Sequence, residues 1–163
     1  MPPITIHRAG PSDIAAIVAG NVRMALETEG LNLDADRVTA GVTHLIEHPE
    51  LGHYWVASID DAGNQGADRR RVVGQCMITT EWSDWRNQPM WWFQSVYVAP
   101  EARRTGVFSA LYHHVAEQAQ AAGVNDLRLY VERDNENAKA TYQALGMRHS
   151  HYDLFDAVLR SQD

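Results

Sequence analysis

Arg103, Arg104, Thr105 and Gly106 stand between the end of an apolar run and the start of a helical pattern, a placement that makes a cradle for an anion. Ahead of them, FQSVYV over residues 93–98 is apolar, β-branched and aromatic, as a strand is, and Pro100 stops it because proline cannot donate to a ladder. Behind them, Val107, Leu111 and Val115 recur at helical spacing, and alanines carry the helix on to Gly123. The first amides of such a helix lack internal partners and together carry about half a positive charge. A glycine at 106 lets the backbone approach a ligand closely, and two guanidinium groups add charge. The turn suits a phosphate or pyrophosphate; it also suits a plain strand–turn–helix connection with a solvated arginine pair.

Other chemistries find less support. Neither a Gly-Lys-Ser/Thr ending nor G-x-G-x-x-G occurs, which weighs against nucleoside triphosphate hydrolysis and dinucleotide binding. No serine sits in a G-x-S-x-G elbow, which removes a hydrolase reading. The single cysteine, Cys76, cannot build a disulfide or a cysteine metal site, and no metal is expected. Four of the 5 tryptophans, Trp82, Trp85, Trp91 and Trp92, crowd together. They read either as a box for a cationic or flat ligand, with Glu27 and Glu29 adding negative charge, or as hairpin packing or a homodimer interface. In a box, an ammonium over an indole face gains about 0.5–2 kcal/mol.

The elements that must position these residues follow from periodicity. Residues 4–9 alternate as a strand, and Pro11, Ser12 and Asp13 start a helix over residues 14–29 that Gly30 ends. Val38, Val42, Leu45 and Ile46 mark a second, shorter helix closed by Pro49. Residues 54–60 and 72–82 read as strands of a hairpin joined by the polar loop at 60–70. After the central helix come a strand at 127–132, a capped helix within 135–147 ending at Gly146, and a final strand at 151–159. The order is β-α-α-β-β-β-α-β-α-β, an α/β (α+β mixed) sheet with helices on both faces.

At 163 residues the chain is one domain's worth, 1–163. With 14 basic against 21 acidic residues it carries a formal charge of −7, which argues against a sequence-independent grip on nucleic acid. Arg69, Arg70 and Arg71 form the one basic tract, read as a solvated loop edge. The start shows no charged n-region with an apolar h-region, and no 18 consecutive residues are apolar, so a soluble cytoplasmic protein with no membrane partner is expected.

The strand, the Val98-Ala99-Pro100 step and the Arg-x-x-Gly turn together resemble the GNAT superfamily of acyl-coenzyme A dependent N-acyltransferases. Its turn reads Gln/Arg-x-x-Gly-x-Gly/Ala; Arg103 to Val107 fit, and Phe108 takes the place of the last small residue. Residues 135–147 resemble the family's N-x-x-A-x-x-x-Y-x-x-x-G-F helix at Asn135, Ala138, Tyr142 and Gly146, with Met147 for the commoner Phe. Two motifs in order, with a strand between, are far more specific than one.

The resemblance implies a mostly antiparallel sheet and an acetyl-CoA cosubstrate. Amides from Arg103 to Ser109, through Arg104, Thr105, Gly106, Val107 and Phe108, would hold its pyrophosphate, and Asn135 would touch it. The backbone of Val96, Tyr97 and Val98 would pair with the pantetheine arm like an added strand. Tyr142 would return a proton to the departing thiolate, and the two N-terminal helices with the loop between would cover the acceptor. An alkyl ammonium is only about one thousandth neutral at pH 7, a deficit of roughly 4 kcal/mol, so a base is wanted. Many family members place a glutamate on the fourth strand, where this chain has Trp92 and Gln94; Glu81, then Asp84, are the nearest carboxylates. Trp82, Trp85, Trp92 and Gln94 would then border an acceptor amine of a small molecule. The expected function is N-acetyl transfer by direct attack; the alternative is a non-catalytic acyl-CoA-binding or interaction module.

Overall fold

The structure, a computed structural model, describes residues 3–60 and 70–159. The chain divides into two compact units, Met1–Tyr130 and Val131–Asp163. In the first, β1 (Ile4–Arg8) leads to α1 (Ile14–Glu29) and α2 (Ala35–Glu47), then to β2 (His53–Asp60), β3 (Arg70–Ser83), β4 (Gln88–Val98), α3 (Val107–Ala121) and β5 (Leu127–Leu129). The sheet runs β1-β2-β3-β4-β5, antiparallel except for the parallel β4–β5 pair.

Strand alternation sorts the apolar residues of β2 onto two faces. Trp55 and Ala57 join Ile78, Phe93, Leu111 and Val115 in a core against α3, whereas Tyr54 and Val56 join Ile17, Val42 and Leu45 against α1 and α2. A strand buried on both sides reads as a near-continuous apolar run, which YWVA is. α3 approaches closely because β3 offers Gly74: a Cβ there would lie 2.6 Å from Val107 Cγ1. The Asp13 carboxylate at the head of α1 accepts from Gly10 N–H at 2.9 Å and lies 3.2 Å from His7 Nε2. Asp34 caps α2, accepting from Asp36 and Arg37 N–H. The Asp13 bonds tie the turn before α1 to β1, and the Asp34 cap fixes the start of α2, so both helices are set on one side of the sheet.

The second unit holds α4 (Glu136–Ala144). Residues 151–159, expected as a final strand, carry no regular structure, and Tyr152, Leu154 and Phe155 are exposed. Their alternation is real, but a strand exists only with a ladder partner, and among the described residues of this unit there is none. β5 is shorter than the apolar run at 127–132, and β4 begins earlier than expected, so that it takes in Trp91 and Trp92. The hairpin loop and Arg69 lie outside the described residues. Among the described residues no helix is long and apolar enough to cross a membrane.

Candidate active site

The connection from β4 to α3 is shaped by its backbone. Residues 100–102 make a 3-10 turn, with Ala102 N–H donating to the Ala99 carbonyl at 2.8 Å. The Thr105 hydroxyl donates back to the Ala102 carbonyl at 2.6 Å. Arg104 and Gly106 both take left-handed backbone, φ 60° and 90°. Such alternation of handedness turns successive amides to one side and forms an anion-binding nest. A Cβ on Gly106 would meet nothing within 4 Å, so glycine is required by φ and not by space. As N-cap of α3, Gly106 gives the first turn no side-chain oxygen, which suits an external anion.

The two arginines divide their work. Arg103 Nε donates to the Val98 carbonyl at 2.9 Å, its guanidinium pairs with Glu27 of α1, and it lies 5.9 Å from the centre of the Tyr97 ring. It fastens the turn to β4 and α1. Arg104 makes no ion pair among the described residues. Glu27, expected to face an acceptor, is therefore the partner of Arg103. The Phe108 ring lies 6.4 Å from those of Phe93 and Tyr112, so the bulky residue at this position is taken up by packing.

β4 is paired with β3 along its length, but with β5 only from Trp91 to Phe93. Over residues 94–98 it has a sheet neighbour on one side, the condition for an added strand. Tyr97 is buried, and its hydroxyl has no hydrogen-bond partner among the described residues. An open strand edge, an orphaned phenol and a nest at the strand's end fit a long ligand with a polyanionic terminus, as acetyl-CoA is.

On the α1–α2 side lies a cleft of about 640 Å³ whose lining includes Tyr54, Met77 and Ser95 from the strands and Asn21, Met24 and Glu29 from α1. Behind it, Gln75 Nε2 donates to the Ile17 carbonyl at 3.0 Å and to Asn21 Oδ1 at 2.9 Å. Asn21 Nδ2 donates to the Tyr54 hydroxyl at 3.0 Å, which is also hydrogen-bonded to Ser95. Burial pushes the Tyr54 phenol above its usual range and outweighs these bonds. Burial likewise raises the Cys76 thiol to about 12, leaving it unreactive.

The expected site residues gather in separate places. Glu81 accepts from Trp92 Nε1 at 2.5 Å and lies 3.9 Å from Arg128, whose guanidinium sits 5.6 Å from the Trp92 ring. Trp92 also packs on Tyr130 at 4.6 Å. Asp84 accepts from Trp85 N–H within the turn, and Gln94 donates to Thr79 at 2.7 Å. The tryptophans do not form one box: Trp82 and Trp85 are 61% and 89% exposed, while Trp91 packs on the α3-side core. Neighbours on a strand point to opposite faces, which parts Trp91 from Trp92. Glu29 does line the cleft. In the second unit Asn135 Oδ1 caps α4, accepting from Ala138 N–H at 3.0 Å, and burial raises the Tyr142 phenol.

Sequence reasoning passed over Asn21, Tyr54, Gln75 and Ser95. A signal exists: Gln75 interrupts the apolar run VVGQCM, and Asn21 sits four residues after Ile17 on the apolar face of α1. Buried polar residues on facing elements are obliged to find each other. The sequence also holds one histidine pair at helical spacing, His44 and His48, with rings 4.1 Å apart. Among the described residues no group of three His, Cys, Asp or Glu side chains is placed to hold a metal.

Comparison with known proteins converges on one family. Residues 23–147, which run through both units, match the model of the Acetyltransferase (GNAT) family. Over 75 residues the chain is 36% identical to the thialysine N-epsilon-acetyltransferase of Bos taurus, a match covering 46% of this chain and 44% of that one. The chain thus spans less than half the length of this curated relative. The crystal structure of a possible acetyltransferase from Clostridium difficile 630 superposes with a TM-score of 0.85 at 38% identity, covering 97% of this chain and 99% of that one. A probable acetyltransferase of known structure shares the fold, with a TM-score of 0.80 at 19% identity over 97% and 99% of the two chains. With nest, open strand edge and both sequence motifs in place, the chain belongs to the Acetyltransferase (GNAT) family of acetyl-transferring enzymes.

Proposed function

We propose that this chain, as one acyltransferase domain, moves an acetyl group from acetyl-CoA to a primary amine of a small molecule by direct attack. The observation that carries the reading is the open edge of β4 running into the left-handed turn at Arg104 and Gly106. The bound cosubstrate supplies an acetyl group activated as a thioester. Amides of residues 103–109, with Arg104, hold the pyrophosphate by charge and dipole, while Arg103 keeps the turn in place. The backbone of Val96, Tyr97 and Val98 pairs with the pantetheine arm, and amides there polarise the carbonyl, a contribution typically worth a hundred- to a thousand-fold. Tyr142, a phenol protonated at neutral pH and pushed further up by burial, returns a proton to sulfur.

Glu81 is the carboxylate proposed to draw the proton from the acceptor ammonium. The Trp92 indole N–H and the nearby Arg128 guanidinium hold this carboxylate in place. Glu81→Gln should lower kcat/KM for the amine by about a hundred- to ten-thousand-fold. The thialysine acetyltransferase likeness supports an amine acceptor, and exposed Trp82 and Trp85 supply a patch for homodimerisation of a cytoplasmic enzyme.

The test is release of free coenzyme thiol across a panel of amines, for which buried Cys76 gives no background. Acetylated product with a primary amine is expected, and Tyr142→Phe should lose most turnover at neutral pH. Coenzyme binding without transfer to any amine would refute the reading, and full activity of Tyr142→Phe would remove the acid.

A further inference from the structure

The cleft between α1 and α2 has a chemistry that the family assignment leaves open. Its wall is largely hydrocarbon and thioether: Met24, Leu31, Leu33, Val38, Leu51 and Met77 all line it. Leu31, Leu33 and Leu51 are 50%, 38% and 49% exposed, an apolar surface that a hydrocarbon chain would cover. Against this wall stand two hydroxyls, Tyr54 and Ser95, and one acidic side chain, Glu29, exposed at the end of α1.

The hydroxyls are oriented from behind. A main-chain carbonyl can only accept, so the Ile17 carbonyl fixes the Gln75 amide with its nitrogen toward α1. Asn21 Oδ1 accepts from that same nitrogen, which turns Asn21 Nδ2 to the Tyr54 oxygen. The Ser95 hydroxyl bonds to that same oxygen as its second donor. With its proton directed to Tyr54, Ser95 keeps its lone pairs to accept from a group in the cleft. Room for this chain is made at Gly20, where a Cβ would lie 2.5 Å from Gln75 Oε1, and Gln75 itself is 2% exposed. Ser95 also lies one residue before Val96, on the part of β4 that β5 leaves open.

We propose that the acceptor is a primary amine on an unbranched apolar chain, its nitrogen donating to Ser95 beside Tyr54 and its hydrocarbon lying along Leu31, Leu33 and Leu51. The inference rests on the transferase reading and adds the acceptor class to it. Donation of one N–H to Ser95 leaves the nitrogen lone pair for the thioester carbon. Gln75 and Asn21 are positioning residues, acting through Tyr54. Glu29 attracts the ammonium to the cleft, and the aliphatic wall selects what the ammonium is attached to.

The experiment compares kcat/KM for straight-chain alkylamines of increasing length with that for lysine and for diamines of equal length. The expected result is a rise of about fourfold per added methylene, the transfer free energy of a buried CH₂ expressed as a ratio. Leu31→Ser and Leu33→Ser, at part-exposed positions, should flatten that rise without changing the KM for acetyl-CoA. Tyr54→Phe and Ser95→Ala should lower kcat/KM for the best alkylamine about ten- to a hundred-fold with the KM for acetyl-CoA unchanged, and Ser95→Thr should restore most of it. Good transfer to lysine or diamines with no chain-length dependence would overturn this inference and leave the transferase reading standing. Coenzyme binding with no amine acetylated would overturn both.

Discussion

Gly106 offers the sharpest perturbation of the nest. Its φ of 90° is left-handed, and a Cβ added there would meet no atom within 4 Å. Replacement by an L-residue thus costs backbone energy alone, about 1–2 kcal/mol for alanine and more for a β-branched residue. The chain has two ways to meet that cost. If it keeps the turn, stability falls, and for a domain of this size each kcal/mol lowers Tm by about 2–4 °C. If φ relaxes, the amides of residues 103–109 no longer converge, and the same energy appears as a five- to thirty-fold rise in the KM for acetyl-CoA. The assay is thermal unfolding of Gly106→Asn, Gly106→Ala and Gly106→Val with and without coenzyme A, together with the KM for acetyl-CoA. Loss should increase in that order, because asparagine tolerates left-handed backbone best of the three. Coenzyme at about a hundred times its Kd should add about 2.7 kcal/mol to the wild type and less to each variant. If Gly106→Val kept both its Tm and its KM, the argument that this φ builds the anion site would fail.

Gly74→Ala should overpack the interface between β3 and α3, since the new methyl would lie 2.6 Å from Val107 Cγ1 and 3.3 Å from Leu111 Cδ1. Urea unfolding should register a loss of about 1–3 kcal/mol. His53 gives an acid limb to stability: burial first, and the Arg8 charge second, hold its imidazole down at about 4 against an ordinary 6.5. The unfolded chain therefore takes up this proton first, so the contribution is complete above pH 6.5, is lost as pH falls toward 4, and changes no further below that. The full shift corresponds to about 3 kcal/mol, and solvent screening of a ring only part-buried reduces it to about 1–2 kcal/mol. Urea midpoints at pH 7, 5.5 and 4.5 should show the limb in the wild type and its loss in His53→Gln.

Much of this fold was written in local pattern. The start of the first helix after Pro11 to Asp13, its stop at Gly30 and the turn at Gly106 are signals carried by a few adjacent residues, and they lie where the sequence puts them. The side-chain site was less legible because strand geometry and pairing are non-local. Trp91 and Trp92 are adjacent in sequence yet face opposite sides of the sheet. Glu27 looked like an acceptor carboxylate until the arginine 76 positions away came to meet it. Asn135 supplies a cap, a role its sequence position at the head of α4 equally allows. The chain from Gln75 through Asn21 and Tyr54 to Ser95 joins three strands to a helix, and no spacing rule along the chain connects them. The apolar alternation at 151–159 describes a strand's side chains, but pairing partners decide whether a strand forms.

The most direct measurement is a crystal structure determined with acetyl-CoA bound. The account predicts pyrophosphate oxygens within hydrogen-bonding distance of amides in residues 103–109 and the pantetheine arm running along residues 96–98 of β4. A diphosphate held elsewhere, with the turn at Arg104 and Gly106 touching only solvent, would contradict it.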